Sequence, residues 1–139
     1  MLDRERLFAK IDVLEGYLKE LAEILPVSFE EYKKVEKRRA CERLLQVSIE
    51  CVIDICGLMV IGLRLGLPAE EDDLFEKLEH ARIITSSRKE SLKKMRGFRN
   101  ILVHEYGHVN DVIVYEILQN NLNDFEAFKQ EILQSIKIK

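Results

Sequence analysis

Turn-forming residues are scarce in this chain of 139 residues, which holds six glycines and two prolines. All-β sandwiches and barrels turn about every 8–12 residues and use those residue types to do so. The scarcity therefore argues against them and suits long helices. Cysteine is both scarce and odd in number: Cys41, Cys51 and Cys56, with no C-x-x-C spacing. That argues against a disulfide framework, and the simplest reading is buried thiols in a reducing cytoplasm. The longest nearly apolar run, Cys51–Leu65, contains Asp54 and Arg64 and falls short of a membrane span. The opening residues Met1-Leu2-Asp3-Arg4-Glu5-Arg6 are charged, unlike a secretory signal. A cytoplasmic chain with no membrane segment is expected. A surplus of basic charge is missing as well. The net charge of −3 argues against coating nucleic acid through global charge, while leaving room for a local basic patch.

What is present is apolar periodicity. Hydrophobic residues make up 47% and charged residues 34%, enough to fill one core and cover it, so residues 1–139 read as a single domain. Leu7, Ile11, Leu14, Leu18, Leu21 and Leu25 alternate spacings of four and three, the stripe of an amphipathic helix that Pro26 ends. Ser28 and Glu31 form a capping box for a long second helix, with Val27 against Tyr32 as a hydrophobic staple. Its stripe of Leu44, Val47, Cys51, Ile55, Leu58 and Gly62 suits a bundle core or a subunit interface, and Gly66-Leu67-Pro68 stops it. The acidic cluster Glu70-Glu71-Asp72-Asp73 opens a short third helix. Ser87 caps a fourth that runs to about Glu105, and Asn110 caps a fifth carrying Tyr115, Leu118, Leu122, Phe125, Phe128, Ile132 and Ile136. No alternating strand pattern appears. The expected fold class is all-α, a bundle of about five helices.

The fourth helix sorts its residues by face. At about 100° per residue, Leu92, Met95, Phe98 and Leu102 gather toward the core. Arg96, Asn100 and His104 stack in one row at i, i+4 and i+8, with Lys93 and Gly97 beside them. Residues 88–99 hold six basic side chains (Arg88, Lys89, Lys93, Lys94, Arg96, Arg99) against the single acid Glu90. Such a strip can be a solvated helix face or a phosphate-binding surface, with Lys93 and Arg96 as its RNA-binding residues. The presence of Asn100 and His104 on the same side favours the second. Cleaving RNA through its own 2′-hydroxyl needs a base, charge stabilisation at phosphorus and an acid. Histidine titrates in the right range for base or acid, and arginine grips a phosphate bidentately. One chain offers a single histidine so placed, so a two-fold homodimer would make a more complete site.

Two further features bear on that segment. His104-Glu105-Tyr106-Gly107-His108 spells the zinc-protease signature H-E-x-x-H, which requires both histidines on one unbroken helix. Gly107 stands between them, Val109-Asn110-Asp111 looks like a new helix start, and a third ligand would have to come from Glu126 or Glu131. A metalloprotease is a remote reading, and no metal is expected. Asp54 stands among Ile53, Ile55 and Leu58, where a carboxylate is costly to bury unpaired. It either makes a structural ion pair or interface contact, or supports the site by orienting Arg99 or His104.

The run Met95-Arg96-Gly97-Phe98-Arg99-Asn100-Ile101-Leu102-Val103-His104-Glu105-Tyr106 resembles the motif of the HEPN superfamily, in which an Arg is followed by a polar residue, a few further positions and a His. It is closest to the HepT toxins, which carry Arg-x4-His-x-Tyr, and Arg99, His104 and Tyr106 fit that spacing in full. The resemblance extends to the long second helix with Asp54, the short acidic third helix and the stretch Asp124-Phe125-Glu126-Ala127-Phe128. It implies a homodimeric, metal-independent endoribonuclease toxin without cofactors, whose site lies at the dimer interface. Arg99 and His104 would be catalytic and Asn100 supporting. It implies a partner too, a minimal nucleotidyltransferase (MNT) antitoxin that transfers AMP to Tyr106. Phosphate charge added two residues from His104 would repel RNA phosphate and crowd the site. The alternative is a non-catalytic HEPN-like module that holds nucleic acid or protein on the basic face. No exposed aromatic cluster is placed to read RNA bases, so the sequence does not name the RNA.

Overall fold

The computed structural model describes residues 2–104 and 109–137. These residues form seven helices and no strand: α1 (Arg4–Ile24), α2 (Phe29–Tyr32), α3 (Val35–Gly62), α4 (Glu71–His80), α5 (Ser86–His104), α6 (Asp111–Asn120) and α7 (Asn123–Lys137). The all-α expectation holds. The two extra helices come from breaks inside segments read as continuous. Lys33 and Lys34 separate α2 from α3, and the break coincides with burial of Tyr32, whose ring meets Phe29 and Tyr115 at centroid distances of 6.5 and 6.2 Å. Asn121 and Leu122 likewise divide α6 from α7.

α3 is the axis of the bundle. Its buried residues include Cys41, Leu45, Ile49, Val52, Ile55, Cys56, Met59 and Val60, which point in several directions rather than along one stripe. A helix buried around most of its circumference must be covered on most sides, and α1, α4 and α5 pack against it. Its apolar stretch is longer than the Cys51–Leu65 run. By length and composition alone it would pass for a membrane span, but more than half of that stretch is buried inside the bundle, as a core helix is. α1 presents Leu7, Ile11, Leu14 and Leu21, and the Cys51 thiol donates to the Lys10 carbonyl at 3.2 Å. Burial raises the Cys41 thiol to about 11, so it rests as a neutral thiol inside the core. α7 packs against α5 and adds Phe125, Phe128, Ile132 and Ile136 to the same core.

Caps follow the local chemistry, with some shifts. The Asp3 carboxylate accepts from Arg6 N, Ser28 Oγ from Glu31 N, and Asn110 Oδ1 from Val112 and Ile113 N. Thr85, not Ser87, caps α5, its Oγ1 accepting from Arg88 N at 3.1 Å. Val27 is 86% exposed, so the expected staple on Tyr32 does not form. α3 ends earlier than Gly66-Leu67-Pro68 suggested. Arg64 takes a left-handed conformation (φ 55°) while Leu65 N donates back to Val60 O, a Schellman closure. Arg82 does the same for α4 (φ 62°), with Ile83 N donating to Leu78 O.

The two ends of α5 are fixed differently. Near its start Arg88 is mostly buried, with Nη1 3.1 Å from Asp124 and Nε 3.0 Å from Glu131, which ties α5 to α7. Along its length it lies beside α4, and that pairing carries the site.

A left-handed Arg82 stores strain that glycine would not, on the order of 1 kcal/mol. Arg82→Gly is expected to stabilise the protein by about that amount, read as a higher urea midpoint at unchanged m-value.

Candidate functional site

α4 and α5 run antiparallel, and their facing side chains are of opposite charge. Arg99 Nη2 donates to Glu71 Oε1. Arg96 Nε lies 2.8 Å from Asp72 Oδ1, and its Nη2 donates to Oδ2 at 3.3 Å. Lys93 Nζ is 3.5 Å from Glu76 Oε2. Lys89 Nζ reaches Glu76 Oε1 at 3.0 Å and Glu79 Oε1 at 3.1 Å. The ladder is cross-helix, with residue numbers rising along α4 as they fall along α5. Its hydrogen bonds mark the titration of its members. The Lys89 ammonium holds the Glu76 carboxyl below the usual range, and Glu76 in turn raises Lys89.

The ladder exists because α5 is amphipathic in two senses. Leu92 and Leu102 are buried, and Met95 and Phe98 are packed partly against the core, which fixes the rotation of the helix about its axis. With that rotation set, Lys89, Lys93, Arg96 and Arg99 face α4. The first turn of α4 is set by its own cap. The Glu70–Asp73 box closes it, and the Asp73 carboxylate accepts from Ala69 N at 2.8 Å and Glu70 N at 3.1 Å. Those two backbone bonds hold the Asp73 carboxyl below its ordinary range.

Arg99, Asn100 and His104 take distinct positions. Arg99 is the most secluded base of the ladder, its side chain 15% exposed. Its Nε donates to Asn100 Oδ1 at 2.9 Å, so the two adjacent residues act together. His104 is the last residue of α5 and is exposed, one turn beyond Asn100 on the same row. Lys93 and Arg96, expected as RNA-binding residues, are placed on that side of α5 but already hold carboxylates. Asp54 is not brought to this group. It is exposed on α3 and pairs with Lys10 of α1 at 3.1 Å, so within one protomer it makes the structural ion pair rather than orienting Arg99 or His104.

Glu105, Tyr106, Gly107 and His108 lie outside the described residues, and with them the modification site and most of the zinc-like spelling. The third ligands that spelling would need are otherwise engaged. Glu131 accepts from Thr85 N and Arg88, and Glu126 from Gln130 while pairing with Lys129. Among the described residues no cluster of three or more His, Cys, Asp or Glu could hold a metal ion.

Sequence reasoning did not single out Glu71, Asp72 and Glu76 as site residues. The signal available was the adjacency of an acid-rich segment at 70–79 and a base-rich one at 88–99, joined by a short turn. Short connections favour antiparallel neighbours.

Comparison with known proteins places this geometry. Residues 14–132 match the family described as ribonuclease HepT-like. The chain belongs to the HepT-like ribonuclease family. The mRNA nuclease HepT of Shewanella oneidensis is 40% identical over 84 residues, spanning 60% of this chain and 63% of that protein's length. The tRNA nuclease HepT of Aphanizomenon flos-aquae is 25% identical over 124 residues, covering 88% of this chain and 84% of its own. A solved structure of the tri-AMPylated Shewanella oneidensis HEPN toxin in complex with its MNT antitoxin superposes with a TM-score of 0.87 at 30% identity. The match covers 96% of this chain and 99% of that one. The family expected from Arg-x4-His-x-Tyr is the family found.

The Arg96–Asp72 pair has one hydrogen bond, from Nη2, while the facing Nε and Oδ1 are buried without one, so the pair should contribute little. A double-mutant cycle on Arg96→Ala and Asp72→Ala is expected to give a coupling of about 1 kcal/mol or less, shrinking further in high salt. A larger, salt-insensitive value would make the ladder a stabilising element rather than an exchangeable surface.

Proposed function

We propose that this chain is a toxin-type, metal-independent endoribonuclease acting in the cytoplasm, with Arg99 and His104 catalytic and Asn100 supporting. The observation that carries the reading is the junction at the end of α5. A secluded arginine is bonded to Asn100, and an exposed histidine lies one turn further on, in a chain of a ribonuclease family. The names of relatives support it, since two are an mRNA nuclease and a tRNA nuclease.

The chemistry follows from those groups. A neutral histidine takes the proton of the 2′-hydroxyl, the 2′-oxygen attacks phosphorus, and the bond to the 5′-oxygen breaks. A protonated histidine gives that oxygen its proton, leaving a cyclic phosphate and a free 5′-hydroxyl. The guanidinium of Arg99 stabilises the charge that grows on the non-bridging oxygens. In an in-line displacement the 2′-oxygen and the 5′-oxygen lie on opposite sides of phosphorus, so one fixed His104 is poorly placed to serve as both base and acid. A two-fold homodimer, bringing a second His104 to the same cleft, supplies the missing group. Exposed Ile101, Val103, Val112 and Ile113 flank this end of the molecule and suit such pairing. Lys93 and Arg96 meet the RNA backbone by exchanging Glu76 and Asp72 for phosphates.

Tyr106, two residues past His104, is the proposed site of AMP transfer by a cognate MNT antitoxin, as the AMPylated state and partner of the Shewanella structure suggest. The added phosphate would stand where substrate phosphate must come.

Wild type freed of modification should cut total RNA in excess EDTA, while His104→Ala and Arg99→Ala lose cleavage by about a hundredfold or more. RNA affinity of His104→Ala should stay near that of wild type. Absence of cutting by unmodified wild type would move the assignment to an RNA- or protein-binding module. Tyr106→Phe should still cut RNA but escape silencing by the co-expressed nucleotidyltransferase, with no AMP gained in intact mass. AMP gained by Tyr106→Phe would place the modification elsewhere.

A further inference from the structure

The Arg99 guanidinium is not simply salt-bridged; it is held by one chosen edge. Nε–H and the neighbouring Nη2–H point the same way and form the side edge of the planar group. In this molecule Asn100 Oδ1 takes the first, at 2.9 Å, and Glu71 Oε1 takes the second. The end edge, made by Nη1 and the other Nη2 hydrogen, has no acceptor among the described residues. An arginine so fixed offers one defined bidentate face. From these contacts we propose that Glu71 is a positioning residue, which sets the plane of Arg99 so that its end edge receives the scissile phosphate. This rests on the ribonuclease reading above.

Glu71 is built for the task. It is the first residue of α4, and its backbone is fixed by the Glu70–Asp73 capping box, whose Asp73 carboxylate takes two backbone donors. One residue on, Asp72 holds Arg96 of α5 at 2.8 Å, so both helices are already clamped beside the Glu71–Arg99 contact. The contact is not needed to hold α4 against α5. Lys93–Glu76, Lys89–Glu76 and Lys89–Glu79 continue the ladder, and Arg88 anchors α5 to α7. Glu71 is also asymmetric with its partner: its side chain is 39% exposed while that of Arg99 is 15% exposed. The carboxylate reaches in from the rim to a guanidinium with little freedom of its own. Losing such a group leaves the arginine charged and in place but held through Nε alone, so that its plane can swing. Small misplacements of that kind are expensive in a reaction that depends on alignment at phosphorus.

The opposite role for the same contact is competition, with the carboxylate occupying the seat of an RNA phosphate. The two roles differ in sign. A positioning residue, once removed, lowers the rate at saturating RNA and leaves affinity alone. A competitor, once removed, tightens RNA binding and raises the rate at low RNA.

The test is single-turnover RNA cleavage in EDTA by unmodified wild type, Glu71→Ala and Glu71→Gln, with His104→Ala as the inactive reference. Glu71→Ala is expected to cut on the order of tenfold more slowly at saturating RNA, with the half-saturating RNA concentration changed little. Glu71→Gln keeps a carbonyl oxygen that accepts from Nη2, so it should recover most of the rate. A merely structural role would lower both thermal stability and rate in Glu71→Ala without that rescue. An unchanged rate, or a raised one with tighter binding, overturns the proposal. A second readout needs no activity. The Arg99 Nη2–H resonance, assigned by its loss in Arg99→Lys, should exchange slowly in wild type and in Glu71→Gln and quickly in Glu71→Ala, because Glu71 accepts from Nη2 while Nε stays on Asn100. If wild type does not cut RNA, the ribonuclease reading fails by itself, and equal protection in wild type and Glu71→Ala would then overturn the role of Glu71.

Discussion

α3 cannot be exposed, and most of what surrounds it follows from that. Its apolar residues occupy so much of its circumference that no single partner helix could cover them, so α1, α4 and α5 are drawn onto different sides. About 42 Å of helix at 1.5 Å per residue gives these shorter helices a common rod to register against. α4 and α5 become neighbours because both need α3. Their rotations are set by what each buries: Leu74, Phe75 and Leu78 on one, Leu92 and Leu102 on the other. With the apolar sides committed inward, the charged sides have one place left to meet. The ladder between the helices is thus a consequence of the core, and the site inherits its geometry from hydrophobic packing.

This arrangement changes the meaning of the basic patch. By sequence, residues 88–99 are a concentration of positive charge; in the folded chain most of that charge faces carboxylates of α4 and α7. The surface the RNA would meet is therefore closer to neutral than the segment's composition suggests, in keeping with the overall charge of −3. Exchanging such a pair for a phosphate gives the base one anion for another but leaves the displaced carboxylate to be resolvated, so the exchange is selective rather than free. Such a face would take up RNA without offering itself to every polyanion.

How much of this could be read from the letters depends on the range of the interaction. Periodicities and caps are local, and they located α1, the apolar half of α3, the row Arg96–Asn100–His104 and the Asn110 cap. The break at Lys33–Lys34 has no local cause such as proline or glycine. It accompanies burial of Tyr32 beside Tyr115, a partner 83 positions away. The early end of α3 was hidden because Arg64 does what glycine usually does, and Gly66 nearby drew the reading further along. Of the two readings of Asp54, the structural ion pair is the one found within a protomer, for a reason of helix geometry. Its sequence neighbours are buried, but successive residues on a helix point about 100° apart, and Asp54 falls on a strip of α3 left open beside α1, within reach of Lys10. Glu71 was invisible as a site residue because its role depends on a pairing across 28 positions, for which one sequence holds no direct signal.

Among the basic residues near the end of α5, seclusion and fixed geometry single out Arg99. Lys93 is an ammonium on a partly exposed stem, and Arg96 donates to Asp72 through Nη2 alone, its Nε lying near Oδ1 without a hydrogen bond. Arg99 is more deeply placed than either, and its side edge is shared between two acceptors on different helices. A charge in a partly desolvated place acts more strongly on a neighbour than one in bulk water. A group already oriented by other bonds loses nothing more when the reaction begins. Both conditions are met where the acidic start of α4 crosses the end of α5, one turn before His104. On the ribonuclease reading, the cleft that matters is therefore set by how α4 begins as much as by the motif on α5.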